Sequence, residues 1–518
     1  MPSSTPPLAA PSLASTLRNA LQLASPRYCV PPTPLRSYLI HGGVLLLWLA
    51  LFAMVLSFTG VLVWSVGVAY VSYDTVLLIF VFWQTLALAR AVAPSINLEQ
   101  MEQVRDGSQP GNRATLGVIV AAHNEAAVLP ITLAALLSQD DPPDEIVIAD
   151  DGSTDNTAAV LLQLYSLAEP LPGAMSAASA THPSLRWLRL PHGGKAVALN
   201  AAMLQMTADT VLTVDGDTLL EPQAIACVRN AFSAEPALVA ATGVLSPVCG
   251  TSFSGRLLQW FQTYEYMRNF LSRYAWMRVD SLLLISGAFA GFRRKALLEV
   301  GGFDVDCLVE DYELIHRLRR YGTLRGLGWT TRVLGGARAR TEAPGTVSAF
   351  LRQRQRWFCG FLQTQYWYRD MVGDKRYGWL GLAMLPVKAI DTLQPLYGLT
   401  AFFLLLFYMA HGDFGVLVPV GGVVAGKIVI DLCFHLWSVH LYRRWAEGGV
   451  VGLAGSASAQ GTTSTRRASF GYGLLAALVE PFTFQLLRHV GAALGWVAFL
   501  TGQRLWTKQS RGGLLPPK

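Results

Sequence analysis

Residues 41–70 contain no Asp, Glu, Lys or Arg. One helical crossing of a bilayer needs about 20 apolar residues. Inside lipid such a stretch can satisfy its backbone only as a helix, so this run commits the chain to a membrane. A second apolar stretch, residues 71–89, is interrupted only by Asp74 and ends at Arg90. Together they predict a two-helix transmembrane hairpin over 37–93. Arg18, Arg27 and Arg36 precede it, and Arg90, Arg105 and Arg113 follow it. By the positive-inside rule both ends face the cytosol. Hydrophobic residues make up 52% of the chain and charged ones 14%, against about a quarter charged in soluble domains. The net charge of +7 follows from that same Lys/Arg bias and gives no reason to expect a nucleic-acid partner.

The remainder divides by composition. Residues 1–36 are rich in Pro, Ser and Ala without an early apolar run, and read as a disordered cytosolic tail rather than a signal peptide. Residues 94–376 have the character of a cytosolic α/β domain. Buried-strand patterns at 116–121, 145–149, 185–190, 210–214 and 238–243 alternate with helical segments, which predicts a parallel, doubly wound sheet. Residues 377–393, with Lys388 and Asp391, suit a helix lying at the interface. The C-terminal transmembrane helices occupy 394–505, and 506–518 form a tail. Arg443, Arg444, Arg466 and Arg467 flank a Gly/Ser/Thr-rich loop, which should be cytosolic. The final apolar segment, 470–500, contains Glu480, Pro481, Arg488 and His489; hydropathy leaves open one long helix or two halves. The six cysteines show no metal-ligand spacing.

Open α/β sheets bind ligands at the carboxyl ends of their strands. Three polar clusters fall there: His123-Asn124-Glu125, Asp150-Asp151-Gly152-Ser153 and Asp215-Gly216-Asp217. Singly, each is explained by turn and helix-cap chemistry. Their recurrence on successive strand ends points to a site. Carboxylates at i and i+2 share one face of an extended strand and suit a hard divalent cation that also bridges phosphates.

The order AHNE, DDGST, GGKAVALN, DGD, SGAFAGFRR, VGGFD, VED and QRQRW resembles the membrane-embedded family-2 glycosyltransferases, among them poly-N-acetylglucosamine, cellulose, hyaluronan and chitin synthases. The resemblance covers about residues 115–370 and implies a nucleotide-sugar-binding GT-A-type, mostly parallel sheet domain inserted between α-helical transmembrane segments. It implies an inverting hexosyltransferase at a bacterial-type inner or plasma membrane, a UDP-sugar donor, and Mg²⁺ or Mn²⁺. Ala122, Asn124, Glu125 and Asp151 would surround the uridine, and Lys195 would approach the nucleotide. Asp215 and Asp217 would hold the metal, with Asp217 the direct ligand. Asp311 would be the general base beside Glu310. Gln353 and Arg356 would contact the donor, with Arg356 at the pyrophosphate, and Trp357 would lie under the acceptor sugar. Val309 stands where the family usually has Thr, which removes a hydroxyl but neither carboxylate.

The acceptor implied is a growing β-linked polysaccharide exported as it forms, with an export or regulatory subunit as a possible partner. Two alternatives stay open: single transfer to a lipid acceptor, and a degenerate transport or scaffold subunit. Ionisable side chains within a bilayer are costly and face protein or water. Glu480, Arg488 and His489 are therefore candidate channel-lining residues, with an interfacial turn at Pro481 as the ordinary alternative.

Overall fold

A computed structural model describes residues 13–57, 60–90, 113–442, 475 and 478–503. Eight strands form one sheet: β1 (Leu116–Ala122), β2 (Glu145–Asp151), β3 (Leu185–Leu190), β4 (Thr210–Asp215), β5 (Thr218–Leu220), β6 (Leu238–Val248), β7 (Phe289–Arg293) and β8 (Thr330–Glu342). Their order is β3-β2-β1-β4-β7-β6-β8-β5. The first four are parallel, as their near-continuous apolar sequences predict. β7 runs antiparallel to both β4 and β6, and β5 runs antiparallel to β8. The sheet is therefore mixed: the mostly parallel expectation holds for β3-β2-β1-β4 and for the β6–β8 pair, and β7 and β5 run against it. The long helix over Phe253–Arg278 separates β6 from β7, and the chain re-enters the sheet with its direction reversed. Alternate strand residues face opposite cores, Ile119 on one side and Val118 and Val120 on the other.

The register matters for the site. Ala121 lies level with Asp215, and Ala122 with Asp150. The carboxyl ends of β2, β1 and β4 thus present their polar residues in one row.

The helices are α1 (Leu13–Ala24), α2 (Leu35–Ser57), α3 (Ser65–Arg90), α4 (Leu129–Leu137), α5 (Thr157–Tyr165), α6 (Lys195–Gln205), α7 (Ala224–Ala234), α8 (Phe253–Arg278), α9 (Arg294–Glu299), α10 (Glu310–Arg325), α11 (Val347–Trp367), α12 (Leu385–Asp391), α13 (Gln394–His411), α14 (Phe414–Tyr442) and α15 (Phe484–Thr501). Three spans are long and apolar enough to cross a membrane: Leu35–Leu56, Leu62–Ala89 and Phe414–Tyr442. The segment expected as an interface helix is Leu380–Asp391, bent by 40° against α13; the pair also passes as one broken span.

One expectation needs correction. Residues 13–36 are not a disordered tail. Leu17, Leu21 and Ala24 of α1 are buried, the i, i+4, i+7 face of an amphipathic helix. That face rests on Gly301 and Gly302: an added Cβ at Gly301 would come within 2.1 Å of the Leu21 backbone, and one at Gly302 within 3.1 Å of Leu17 Cδ2. Arg27 then pairs with Asp304 at 2.7 Å and Asp306 at 3.0 Å. Residues 1–12 lie outside the described residues, as do Arg105, the arginines of the loop after α14 and the tail 506–518.

Among its described residues, the last apolar segment takes the broken form of the two that hydropathy left open. A 3₁₀ turn over Glu480–Phe482 precedes α15, because Pro481 lacks the N–H that a continuous helix needs. α15 packs directly on α11: a Cβ at Gly491 would stand 2.6 Å from Arg354 Cβ, and one at Gly495 would stand 2.7 Å from Phe358 Cβ. Small residues permit this close approach and fasten the QRQRW helix to an apolar one.

Candidate active site

The loops after β1 and β2 are tied together by side chains. Asn124 adopts a positive φ of 56°, which Asn tolerates better than most residues. Its Oδ1 accepts from the Thr154 and Asp155 amides at 2.7 and 3.1 Å. Asp151, almost fully buried, accepts from the amides of Gly193 and Gly194 at 2.7 and 3.0 Å. Gly194 needs its glycine, with φ at 96°. Asp151 thus fixes the turn that launches α6 and aims Lys195. Asn124 and Asp151 brace the loops that follow β1, β2 and β3, whereas Ala122 and Glu125 are buried. His192, which sequence reading passed over, stacks on His123 with ring centroids 4.5 Å apart. Ligand atoms of His123, Asp151 and His192 lie within 4.8 Å of one another and could hold a metal. His123, however, already spends Nδ1 on the Asp151 carbonyl, and its Nε2 lies 3.2 Å from the Asn124 amide nitrogen. The stacked rings suit a flat base better than a shared ion.

The second group converges from β4, α6 and α10. Lys195 Nζ lies 2.5 Å from Asp215 and 3.9 Å from Glu310, and donates to the Gly287 carbonyl at 3.3 Å. Burial alone would lower the Lys195 ammonium. Asp215, Glu310 and Asp311 outweigh that and hold it above its ordinary value. Glu310 is pushed up by burial against the pull of Lys195, and Asp311 adds to the rise. Asp217 is buried, and burial with the charges of Asp215 and Glu342 pushes its carboxyl up to about 8. Three carboxylates crowded in this way fit a divalent cation, which would remove the repulsion.

Asp311 opens α10. Its Oδ2 accepts from the Gly287 amide at 2.7 Å and its Oδ1 from the Tyr312 amide at 2.8 Å. Val309, the helix N-cap, makes no side-chain capping bond. From α11, Arg356 Nη1 donates to the Leu308 carbonyl at 3.3 Å, beside the Glu310 carboxyl. Gln353 is buried with its Oε1 lacking a hydrogen-bond partner among the described residues. Trp357 is covered on one face by the Arg354 guanidinium at 4.7 Å.

Trp357 also lines a cavity of about 550 Å³ that extends between the apolar helices. Glu480, Arg488 and His489 all line it. Glu480 pairs with Arg268, while Arg488 lies 3.2 Å from Glu265. Glu265, Arg268 and Arg354 escaped the sequence reading. The available signal was the polar repeat Glu265, Arg268, Asn269, Ser272, Arg273 along one face of α8, at i, i+3, i+4, i+7 and i+8.

The chain matches the family model for glycosyl transferase family 2 over residues 117–301 and that for glycosyl transferase family group 2 over 210–417. It is 27% identical over 252 residues to poly-beta-1,6-N-acetyl-D-glucosamine synthase of Staphylococcus epidermidis, covering 47% of this chain and 54% of the relative. The Staphylococcus aureus (strain COL) protein of that name is 27% identical over 300 residues, 57% of this chain and 61% of the relative. The chain thus spans between half and two thirds of the length of these curated relatives. A solved mannosyltransferase from Pyrobaculum calidifontis, in complex with GDP-Man and Mn²⁺, covers 83% of this chain at 18% identity and a TM-score of 0.46. With two overlapping family models spanning residues 117–417, the chain belongs to the family-2 glycosyltransferases.

Proposed function

We propose that the chain is an inverting, metal-dependent membrane glycosyltransferase that moves a sugar from a UDP-sugar, UDP-N-acetylglucosamine or UDP-glucose, onto a growing β-linked polysaccharide and couples extension to export. The observation that carries this is a polar-lined cavity between apolar helices that is walled by Trp357 and by Tyr312, whose amide donates to Asp311. The name of the staphylococcal relatives favours the N-acetylglucosamine donor. The arginines flanking the first hairpin favour a cytosolic catalytic domain.

The residues divide the work. The stacked His123 and His192 give the base a flat, partly exposed surface. Asp215 and Asp217 would hold Mg²⁺ or Mn²⁺, which when bound neutralises charge on the leaving diphosphate. Lys195 and Arg356 add fixed positive charge on either side of Glu310. A sugar hydroxyl is a poor nucleophile, so Asp311 takes its proton as it attacks the anomeric carbon. Two backbone amides fix both of its oxygens. One displacement without a covalent intermediate inverts the anomeric centre. Trp357 offers the acceptor ring a flat apolar face.

The test uses the full chain purified in detergent with a panel of radiolabelled UDP-sugars. One donor should give a polymer ladder on a gel. Asp311→Asn should stop turnover and leave UDP affinity near wild type. A single-sugar lipid product would replace this reading with the lipid-acceptor one, and no transfer from any UDP-sugar would end it.

A further inference from the structure

The cavity wall carries more positive charge than its own acids neutralise. Five acidic residues line it: Asp74, Glu265, Asp391, Asp431 and Glu480. Each is already engaged. Asp391 holds Lys388 at 2.6 Å, and Asp74 and Asp431 share Lys427. Glu480 holds Arg268. Glu265 is chelated by Arg354 at 2.9 and 2.7 Å and approached by Arg488 at 3.2 Å. One lining cation remains, Arg273. It has no carboxylate within 4.0 Å and no hydrogen-bond partner for its Nε among the described residues. Burial depresses its guanidinium, and the more distant Asp311 and Tyr266 only partly oppose that.

Arg273 is half-buried in the cavity wall with its Nε unpartnered among the described residues, and a guanidinium placed there without a counter-charge is a cost that an apolar residue of similar size would not carry. Such a group is explained if an anion completes it during the working cycle. The fork of donors on Arg matches the paired oxygens of a carboxylate or a phosphate. Asp311 does not fill this role: it acts on Arg273 only through space and makes no ion pair with it within 4.0 Å among the described residues. The donor diphosphate has its own cations in Lys195 and Arg356, neither of which lines the cavity. On the cavity side, Asn269 and Ser272 flank Arg273 on the same face of α8, a supply of hydrogen bonds suited to sugar hydroxyls next to a charge.

We infer that Arg273 binds an oxyanion carried by the acceptor, a carboxylate or a phosphate, in the cavity beside Asp311. The inference rests on reading that cavity as the acceptor path. It narrows the acceptor: a wholly neutral glycan would leave Arg273 uncompensated at every step. A uronic acid within the glycan, or the phosphate of a primer, would compensate it.

The test measures binding rather than turnover, so it gives an answer even if no UDP-sugar is transferred. Full-length protein in detergent, saturated with UDP, is titrated in a scintillation proximity assay with two matched pairs: glucuronate against glucose, and farnesyl phosphate against farnesol. In wild type the charged member of one pair should bind at least about tenfold more tightly, as loss of a desolvated charge partner usually costs more than 1.4 kcal/mol. Preference for glucuronate assigns an acidic glycan, and preference for farnesyl phosphate assigns a phosphorylated primer. Arg273→Gln should bring the preferred pair within about twofold, while Arg273→Lys keeps most of the difference and UDP affinity stays constant in both. Equal binding of charged and neutral members in wild type overturns the inference without any variant and leaves the transferase reading intact. A preference undiminished in Arg273→Gln overturns it too, as does a parallel loss of UDP affinity, which would place Arg273 in the donor site.

Discussion

Gly287 joins the two halves of the proposed catalytic centre. Its amide holds Asp311 and its carbonyl accepts from Lys195. A Cβ at this position would lie 3.0 Å from Asp311 Oδ2, 3.2 Å from its Cβ and 3.3 Å from its Cγ. Ordinary carbon contacts begin near about 3.5 Å, so Gly287→Ala must push the carboxylate away by a few tenths of an ångström. The φ at Gly287 is not in the positive region, so alanine is allowed there and slightly restricts the unfolded chain, an effect of under about 1 kcal/mol. The variant therefore displaces one group with little cost to the fold. Catalytic geometry tolerates such displacement poorly: about 1 Å can cost about a hundredfold in rate. A shift of less than half that should lower kcat by about tenfold while the dissociation constants for UDP and Mn²⁺ stay within about twofold. Initial rates with radiolabelled donor, beside UDP binding by calorimetry, separate the two. An unchanged kcat would show that Asp311 is not held by this contact during transfer. A parallel loss of UDP binding would show that the loop organises the donor instead.

Two further predictions concern protons and the metal. Chelation by EDTA or Asp217→Ala should abolish transfer, and full activity in EDTA removes the metal from the mechanism. Because Asp217 is held at about 8, a cation must displace its proton below that pH. The Mn²⁺ dissociation constant, read from the free-ion EPR signal, should fall about tenfold per pH unit from 6 to 8 and then level off; a flat profile contradicts the placement. His316, fully buried in α10, donates from Nδ1 to the Tyr312 carbonyl, while its Nε2 has no partner among the described residues. Burial depresses it from 6.5 to about 4, so as pH falls the unfolded chain takes up the proton first. The neutral ring's contribution is complete above 6.5 and is lost as pH falls towards 4. The loss is about 3 kcal/mol at most. The thermal midpoint of wild type should drop more across that window than that of His316→Asn, and equal drops would discount the ring.

What the sequence disclosed is what local rules control. The apolar run at 41–70 and the polar residues after β1, β2 and β4 were readable because helix length, strand alternation and strand-end turns leave patterns within a few residues. The parallel half of the sheet followed from its apolar strands. β7 did not: its antiparallel direction depends on where a 26-residue helix returns the chain. The N-terminal helix was hidden by Pro and Ser around it, since its apolar face has a purpose only once Gly301 is in place. The same holds for the charges of the cavity. Glu265 and Arg354 are 89 residues apart, and Arg268 and Glu480 are 212 apart. Each alone looks like a polar position on a surface helix.

The contact that sets Asp311 is less visible still. Its partner is a backbone amide, which every non-proline residue carries. The only sequence trace is that residue 287 is a glycine, small enough for a carboxylate to approach within hydrogen-bonding distance. Residue types at strand ends and in the motifs that open or line helices can therefore nominate the acids and the cations of such a centre. The distances on which the proposed base, metal site and acceptor path rest are fixed by backbone approach and by pairs far apart in the chain, so those roles are best tested by variants that move a group slightly rather than delete it.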